Sequence, residues 1–249
     1  MEHYTVGPCT LYHGDCMDVL PRLPEKADLL VSDPPYKLTQ GGKCKGDDHV
    51  YGTGKTHKKM KGKFSAANYD NSGKLMEIVP WEKMAGPMLD ACKPDADAYI
   101  MANDKNIFDA RNAFVEAGWK FHNLLTWHKI YATPNRWYMK DAEYTLYLWK
   151  GKAKTIRNPG SKQVKSIHTP RGQEHSTTKP VLLMQYYIEN SSEYGDLVLD
   201  PFAGSGSTLE AAMLSGRRAI GIEYNETYFD LACRKLDAAW KLMRETVYC

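Results

Sequence analysis

The sequence predicts an α/β fold, a parallel sheet with helices on both faces. Three observations lead there. Short apolar runs at 28–32, 98–102, 197–200 and 218–223 read as buried strands. Segments with helical apolar spacing lie between them, and Pro or Gly turns close the strands 28–32 and 197–200. At 249 residues, 43% hydrophobic and 25% charged, the chain fits a single domain over 1–249 with a self-sufficient core.

Residues 28–32 form a strand that ends in Asp33-Pro34-Pro35-Tyr36. Residues 37–73 are rich in Gly, Lys, Asn and Asp and lack apolar periodicity, which predicts a mobile basic loop. A helix follows over 76–92, a strand over 98–102 and a helix over 106–118, which Gly118 stops. Residues 121–128 and 143–149 read as two further strands. Residues 151–178 are polar, basic and unpatterned. The remainder reads as a helix over 181–190, strand 197–200, helix 207–215, strand 218–223 and a final helix from 226 to about 244.

Net charge is only +3, but it is concentrated. Residues 37–63 carry eight lysines against two aspartates, and 151–170 carry five basic residues and no acid. Such patches suit a polyanion. The DNA-contact candidates are Lys43, Lys45, Lys55, Lys58, Lys59, Lys152, Lys154, Arg157, Lys162 and Lys165, with Arg136 and Trp137 in the loop 131–140. The six cysteines match no zinc spacing, no metal is expected, and no apolar run suits a signal peptide or a membrane span. A cytoplasmic, reducing setting of bacterial or phage type is expected.

Two turns carry the chemistry. After strand 197–200 comes Asp200-Pro201-Phe202-Ala203-Gly204-Ser205-Gly206 and then a helix, the geometry of a nucleotide-type cofactor site. About twenty residues on, Glu223 ends a strand, where a carboxylate can hold both hydroxyls of a ribose. Leu209 stands where a dinucleotide fingerprint wants a third small residue, which disfavours a nicotinamide-dependent oxidoreductase and favours a nucleoside cofactor without phosphates. In the other turn, Pro34 and Pro35 stiffen the chain after Asp33. The Asp33 carboxylate and the Pro34 carbonyl can then accept hydrogens from one planar amino group, freeing its lone pair for a methyl donor. Tyr36 offers a stacking face for a flipped base.

These motifs resemble the DNA amino-methyltransferases, specifically their circularly permuted beta group. Gly14-Asp15-Cys16, Asp33-Pro34-Pro35-Tyr36, His175 through Pro180, the turn 199–206 and 221–228 carry the resemblance. It implies a Rossmann-like S-adenosylmethionine-dependent fold with a seven-stranded, mostly parallel sheet. It implies that Phe202, Ala203, Gly204, Ser205 and Gly206 line the cofactor's methionine side, with Asp33 and Asp200 nearby. Glu223 would hold the ribose, Asp15 (with Cys16) the adenine, and Thr178 and Lys179 would sit by the carboxylate. Asp rather than Ser at the head of the catalytic turn implies adenine N6 rather than cytosine N4. DNA is the implied partner, restriction-modification a setting, and homodimers occur among related enzymes. The chain departs from the family pattern at Ala142-Glu143, where His-Glu is usual. Its target-recognition segment, 151–178, is short, which predicts a short target or weak sequence preference.

Other readings are weaker. Gly7-Pro8-Cys9 resembles a cytosine-ring nucleophile turn but stands at the chain start. Gly52 to Thr56 is half a phosphate loop without its strand. A non-catalytic nucleic-acid-binding module would not need the residues of both turns.

Overall fold

The computed structural model describes residues 1–36, 78–133, 138–169 and 178–247. Nine strands among them form one sheet, in the order β1-β2-β9-β8-β3-β4-β6-β5-β7. The strands are β1 (His3–Val6), β2 (Cys9–His13), β3 (Ala27–Ser32), β4 (Cys92–Ala102), β5 (Lys120–Thr133), β6 (Lys140–Trp149), β7 (Val164–Ser166), β8 (Leu197–Asp200) and β9 (Arg218–Glu223). Only β1 and β6 run against the rest.

The expected count of seven strands is corrected to nine. The three that no apolar run marked lie at the edges, where pattern is weakest. The hairpin of β1 and β2 joins β9 on one side, and the fully exposed Val164–Ser166 pairs with Thr126–His128 on the other. An exposed three-residue strand buries nothing, so it leaves no apolar signature.

Alternation in the central strands feeds two cores. Leu29, Val31, Tyr99 and Val198 face one layer, built on helices α4 (Val181–Ser191), α5 (Ser207–Leu214) and α6 (Glu226–Val247). Leu30, Ile100, Leu197 and Leu199 face the other, on α1 (Cys16–Val19), α2 (Trp81–Asp90) and α3 (Ile107–Glu116). Each such side chain, wholly removed from water, contributes roughly 1.5–3 kcal/mol. No helix among the described residues is long and apolar enough to cross a membrane.

The strand β3 lies between β8 and β4, in parallel register with both. The turns after β3 and after β8 therefore emerge side by side, although far apart in sequence.

Leu209 explains the missing third glycine. It is fully buried on α5, and a Cβ on Gly221 of β9 would come within 2.7 Å of it and 2.9 Å of Leu11. The small residue that lets this helix approach the sheet sits on the strand rather than on the helix. Gly221→Ala should therefore lower unfolding free energy by about 1–3 kcal/mol through overpacking. Denaturant titration checks this, and an unchanged midpoint would contradict it.

Candidate active site

The two turns are clasped together. Ser32 Oγ at the tip of β3 donates to Asp200 Oδ1 at 2.7 Å, and the Phe202 amide donates to the same oxygen at 3.1 Å. Asp200 is 3% exposed. Burial pushes its carboxyl up to about 6, against hydrogen bonds from Thr208, Ser32 and the Phe202 amide. Its carboxylate braces the turn from within.

The glycine turn is shaped for a ligand. Gly204 and Gly206 have φ of +52° and +84°. A Cβ on Gly206 would come within 3.2 Å of Ala232, whereas one on Gly204 would meet nothing nearer than a backbone oxygen at 4.0 Å. Gly206 thus serves packing, and Gly204 leaves open space. Glu223 accepts the Gly204 amide on Oε2 and the Asn225 amide on Oε1, each at 2.8 Å. Burial raises its carboxyl and these amides oppose the rise. Each oxygen keeps a lone pair for a ribose hydroxyl. Asp15 Oδ1 accepts the Met17 amide at 2.8 Å, and Cys16 is buried. Gly14 donates to the Glu223 carbonyl, so the Asp15 turn abuts the Glu223 tip. The Thr178 hydroxyl lies 3.2 Å from that of Ser205, and Lys235 Nζ lies 3.5 Å from the same hydroxyl. Phe202 is half-buried and Ala203 buried.

At the catalytic turn, Asp33 Oδ2 accepts from Lys179 Nζ in an ion pair, while Oδ1 is buried with no hydrogen-bond partner among the described residues. Burial pushes the Asp33 carboxyl up; Lys179 opposes this and Glu143 adds to it. Burial disfavours the Lys179 ammonium, yet Asp33, Glu143 and Tyr36 hold it well above the ordinary lysine value. Pro34 is buried and Pro35 half-buried. The Tyr36 ring stacks on Trp81 of α2, with centroids 6.3 Å apart and planes 23° apart. One face of Tyr36 is thus backed by protein.

Sequence reasoning missed three contributors: Trp81 behind Tyr36, and Glu143 and Lys129. Glu143 Oε2 is 3.3 Å from Lys179 Nζ, and its Oε1 pairs with Lys129. The Ala142-Glu143 departure held the only sequence signal for this pair.

The basic candidates divide by position. Lys43, Lys45, Lys55, Lys58, Lys59, Arg136 and Trp137 lie outside the described residues. Residues 151–157 follow the antiparallel β6 to the sheet end opposite Asp33. There Lys152 donates its amide to Asp95, Lys154 is exposed, and Arg157 pairs with Glu193. The chain then climbs back past Lys162 to β7, level with the end of β4. Lys165 lies over the Tyr186 ring, 4.6 Å from its centroid. Beside it a groove of about 520 Å³ runs past Ser166, His168, Thr178 and Leu182 and includes Lys179 and Lys235. Cys9 is buried, and burial pushes its thiol up to about 12, which makes it a poor nucleophile. No cluster among the described residues has metal-ligand character.

A family model described as a DNA methylase, N6_N4_Mtase, matches residues 27–234. The chain belongs to this DNA methylase family. Among relatives of the methylase, the Type II methyltransferase M2.DpnII of Streptococcus pneumoniae is 29% identical over 258 residues, covering 95% of this chain and 92% of that protein. M2.LlaDCHI of Lactococcus lactis subsp. cremoris is 27% identical, with coverages of 94% and 91%. Two solved structures share the fold. M1.HpyAVI in complex with SAM superposes with a TM-score of 0.67 at 23% identity, over 91% of this chain and 99% of that one. The PvuII cytosine-N4-specific DNA methyltransferase gives 0.65 at 17%, over 96% and 93%.

The Asp200 clasp has a pH signature. Its folded-state pKa of about 6 exceeds the ordinary 3.8, so the folded methylase binds this proton more tightly than the unfolded chain. This group's contribution to stability is therefore greatest below pH 4 and is lost as pH rises through 6, by about 3 kcal/mol. Asp200→Asn can keep the Ser32 and Phe202 bonds without the buried charge. The stability of the Asn variant relative to wild type should increase between pH 4 and 7.5. A difference independent of pH, measured by urea unfolding, would contradict this.

Proposed function

We propose that this methylase transfers a methyl group from S-adenosylmethionine to the exocyclic amino group of adenine in DNA. Asp33 Oδ1 carries the reading: it is a buried acceptor without a donor among the described residues, at the end of a central strand beside the glycine turn. A buried acceptor left unmatched is costly unless a ligand supplies the hydrogen.

The residues fit the cofactor. Gly204 leaves room for it, Glu223 presents fixed lone pairs for the ribose, and Thr178, Ser205 and Lys179 present polar groups by the methionine side. When bound, it supplies an electrophilic methyl group. Asp33 Oδ1 accepts one amino hydrogen and the Pro34 carbonyl the other, which draws the nitrogen lone pair out of ring conjugation. Tyr36, backed by Trp81, stacks on the extruded base. Lys165 and the groove that includes Lys179 would meet DNA backbone, a contact that needs charge rather than sequence. The resemblance also supports a homodimer, and sedimentation of only a 28.3 kDa species would overturn it.

Cytosine N4 is the second reading, favoured by the shared fold of the N4-specific PvuII enzyme. Incubation with labelled cofactor and unmethylated DNA, followed by nucleoside analysis, separates the two. N6-methyladenine is expected from wild type, with at least a ~100-fold slower rate from Asp33→Ala. N4-methylcytosine alone would overturn adenine, and full activity of the variant would overturn the role of Asp33.

A further inference from the structure

We propose that Glu143 is a positioning residue of the methyl-transfer site: by sharing Lys179 with Asp33, it sets how strongly Asp33 Oδ1 can accept the target amino hydrogen. This rests on the reading of Asp33 as that acceptor.

Four charges alternate in sign along a row from the sheet to the catalytic turn. Lys129 of β5 pairs with Glu143 of β6, Glu143 lies 3.3 Å from Lys179 just before α4, and Lys179 pairs with Asp33 after β3. Four separate elements thus meet in one chain of contacts. Its outer end is fixed. Trp127 lies opposite Glu143 in the β5–β6 register, Lys129 lies 5.1 Å from the centroid of the Trp127 ring, and the indole donates to the Ile167 carbonyl at 2.8 Å.

The arrangement answers an electrostatic problem. Lys179 is 8% exposed, so its charge is little screened by water. Paired with Asp33 alone, it would draw electron density from the carboxylate and weaken Oδ1 as an acceptor. Glu143 takes part of that charge while Lys179 still anchors Oδ2, so the carboxylate stays oriented without being spent. Lys129 in turn moderates Glu143. Both lysines act to hold Glu143 below the ordinary glutamate value, against the effect of burial.

The groups facing this row are Asp200 from β8, Tyr36 after Asp33, Tyr187 from α4, and Asp104 after β4, which faces Tyr36. Against that background, Glu143 raises the proton affinity of Asp33 and Lys129 lowers it. Removing each charge should therefore move the acid limb of the pH–rate profile in opposite directions.

The test uses the full chain carrying Glu143→Gln, Lys129→Met or Asp33→Ala, with melting curves, cofactor binding by calorimetry, and kcat and KM for DNA across pH. Glu143→Gln should bind cofactor as wild type does, lower kcat about tenfold or more with little change in KM, and shift the acid limb of kcat to lower pH. Lys129→Met should shift the limb to higher pH. Glu143→Asp, which keeps the charge, should restore the limb position. If Glu143→Gln does not fold, the sign of the Lys129→Met shift decides. An unmoved limb, or both variants shifting it the same way, overturns the proposal. Wild-type turnover by Asp33→Ala would instead overturn the acceptor reading beneath it.

Discussion

The hydrogen bond from Ser32 Oγ to Asp200 Oδ1, 2.7 Å long, joins the tips of the two neighbouring strands that carry the site. Everything chemical in the methylase lies within reach of that joint. β3 delivers Asp33 one residue beyond Ser32, and β8 delivers the glycine turn immediately after Asp200. Parallel pairing of Leu29 with Val198 and Leu30 with Leu199 fixes the register in which the two turns emerge. A slip of one residue would turn the apolar side chains of β3 to the wrong layers and part the turns at once.

The joint combines costly and stabilising terms. Asp200 is a buried carboxylate whose burial disfavours its charge, and it is retained with three hydrogen-bond donors around it. Asp33 beside it keeps one oxygen tied to Lys179 and one bare. The first carboxylate is satisfied by protein and gives rigidity. The second keeps one oxygen open among the described residues. Their proximity also matters electrostatically, because Asp33 adds to the upward push on Asp200.

Much of this was legible in the sequence. The strands at 28–32 and 197–200 announced themselves as apolar runs ending in Pro and Gly turns that pointed to Asp33 and Gly204, and the apolar run 218–223 pointed to Glu223 at its tip. What escaped detection did so for physical reasons. β1 and β7 are short edge strands with little buried surface. Glu143 escaped because β6 is antiparallel: the start of that strand lies at the catalytic edge, whereas every parallel strand brings its end there. Trp81 opens α2 and reads as one more apolar residue at that helix's spacing, so nothing local tied it to Tyr36. Lys152, Lys154 and Arg157 were grouped with Lys165 by charge alone, and the fold separates them by the height of the sheet.

That separation gives the segment after β6 a foot and a head. It leaves the sheet beside Pro94 and Asp95, is tied near its middle by the Tyr186 hydroxyl to the Lys162 carbonyl, and re-enters the sheet as β7 at the rim of the site. Its foot contacts none of the residues that handle the base or the cofactor. The foot is itself held, by the Arg157 amide donating to the Asn190 carbonyl and by Ile156 packed on the core. The segment thus works as a strut between the two ends of the sheet, and its length is set by the height it spans.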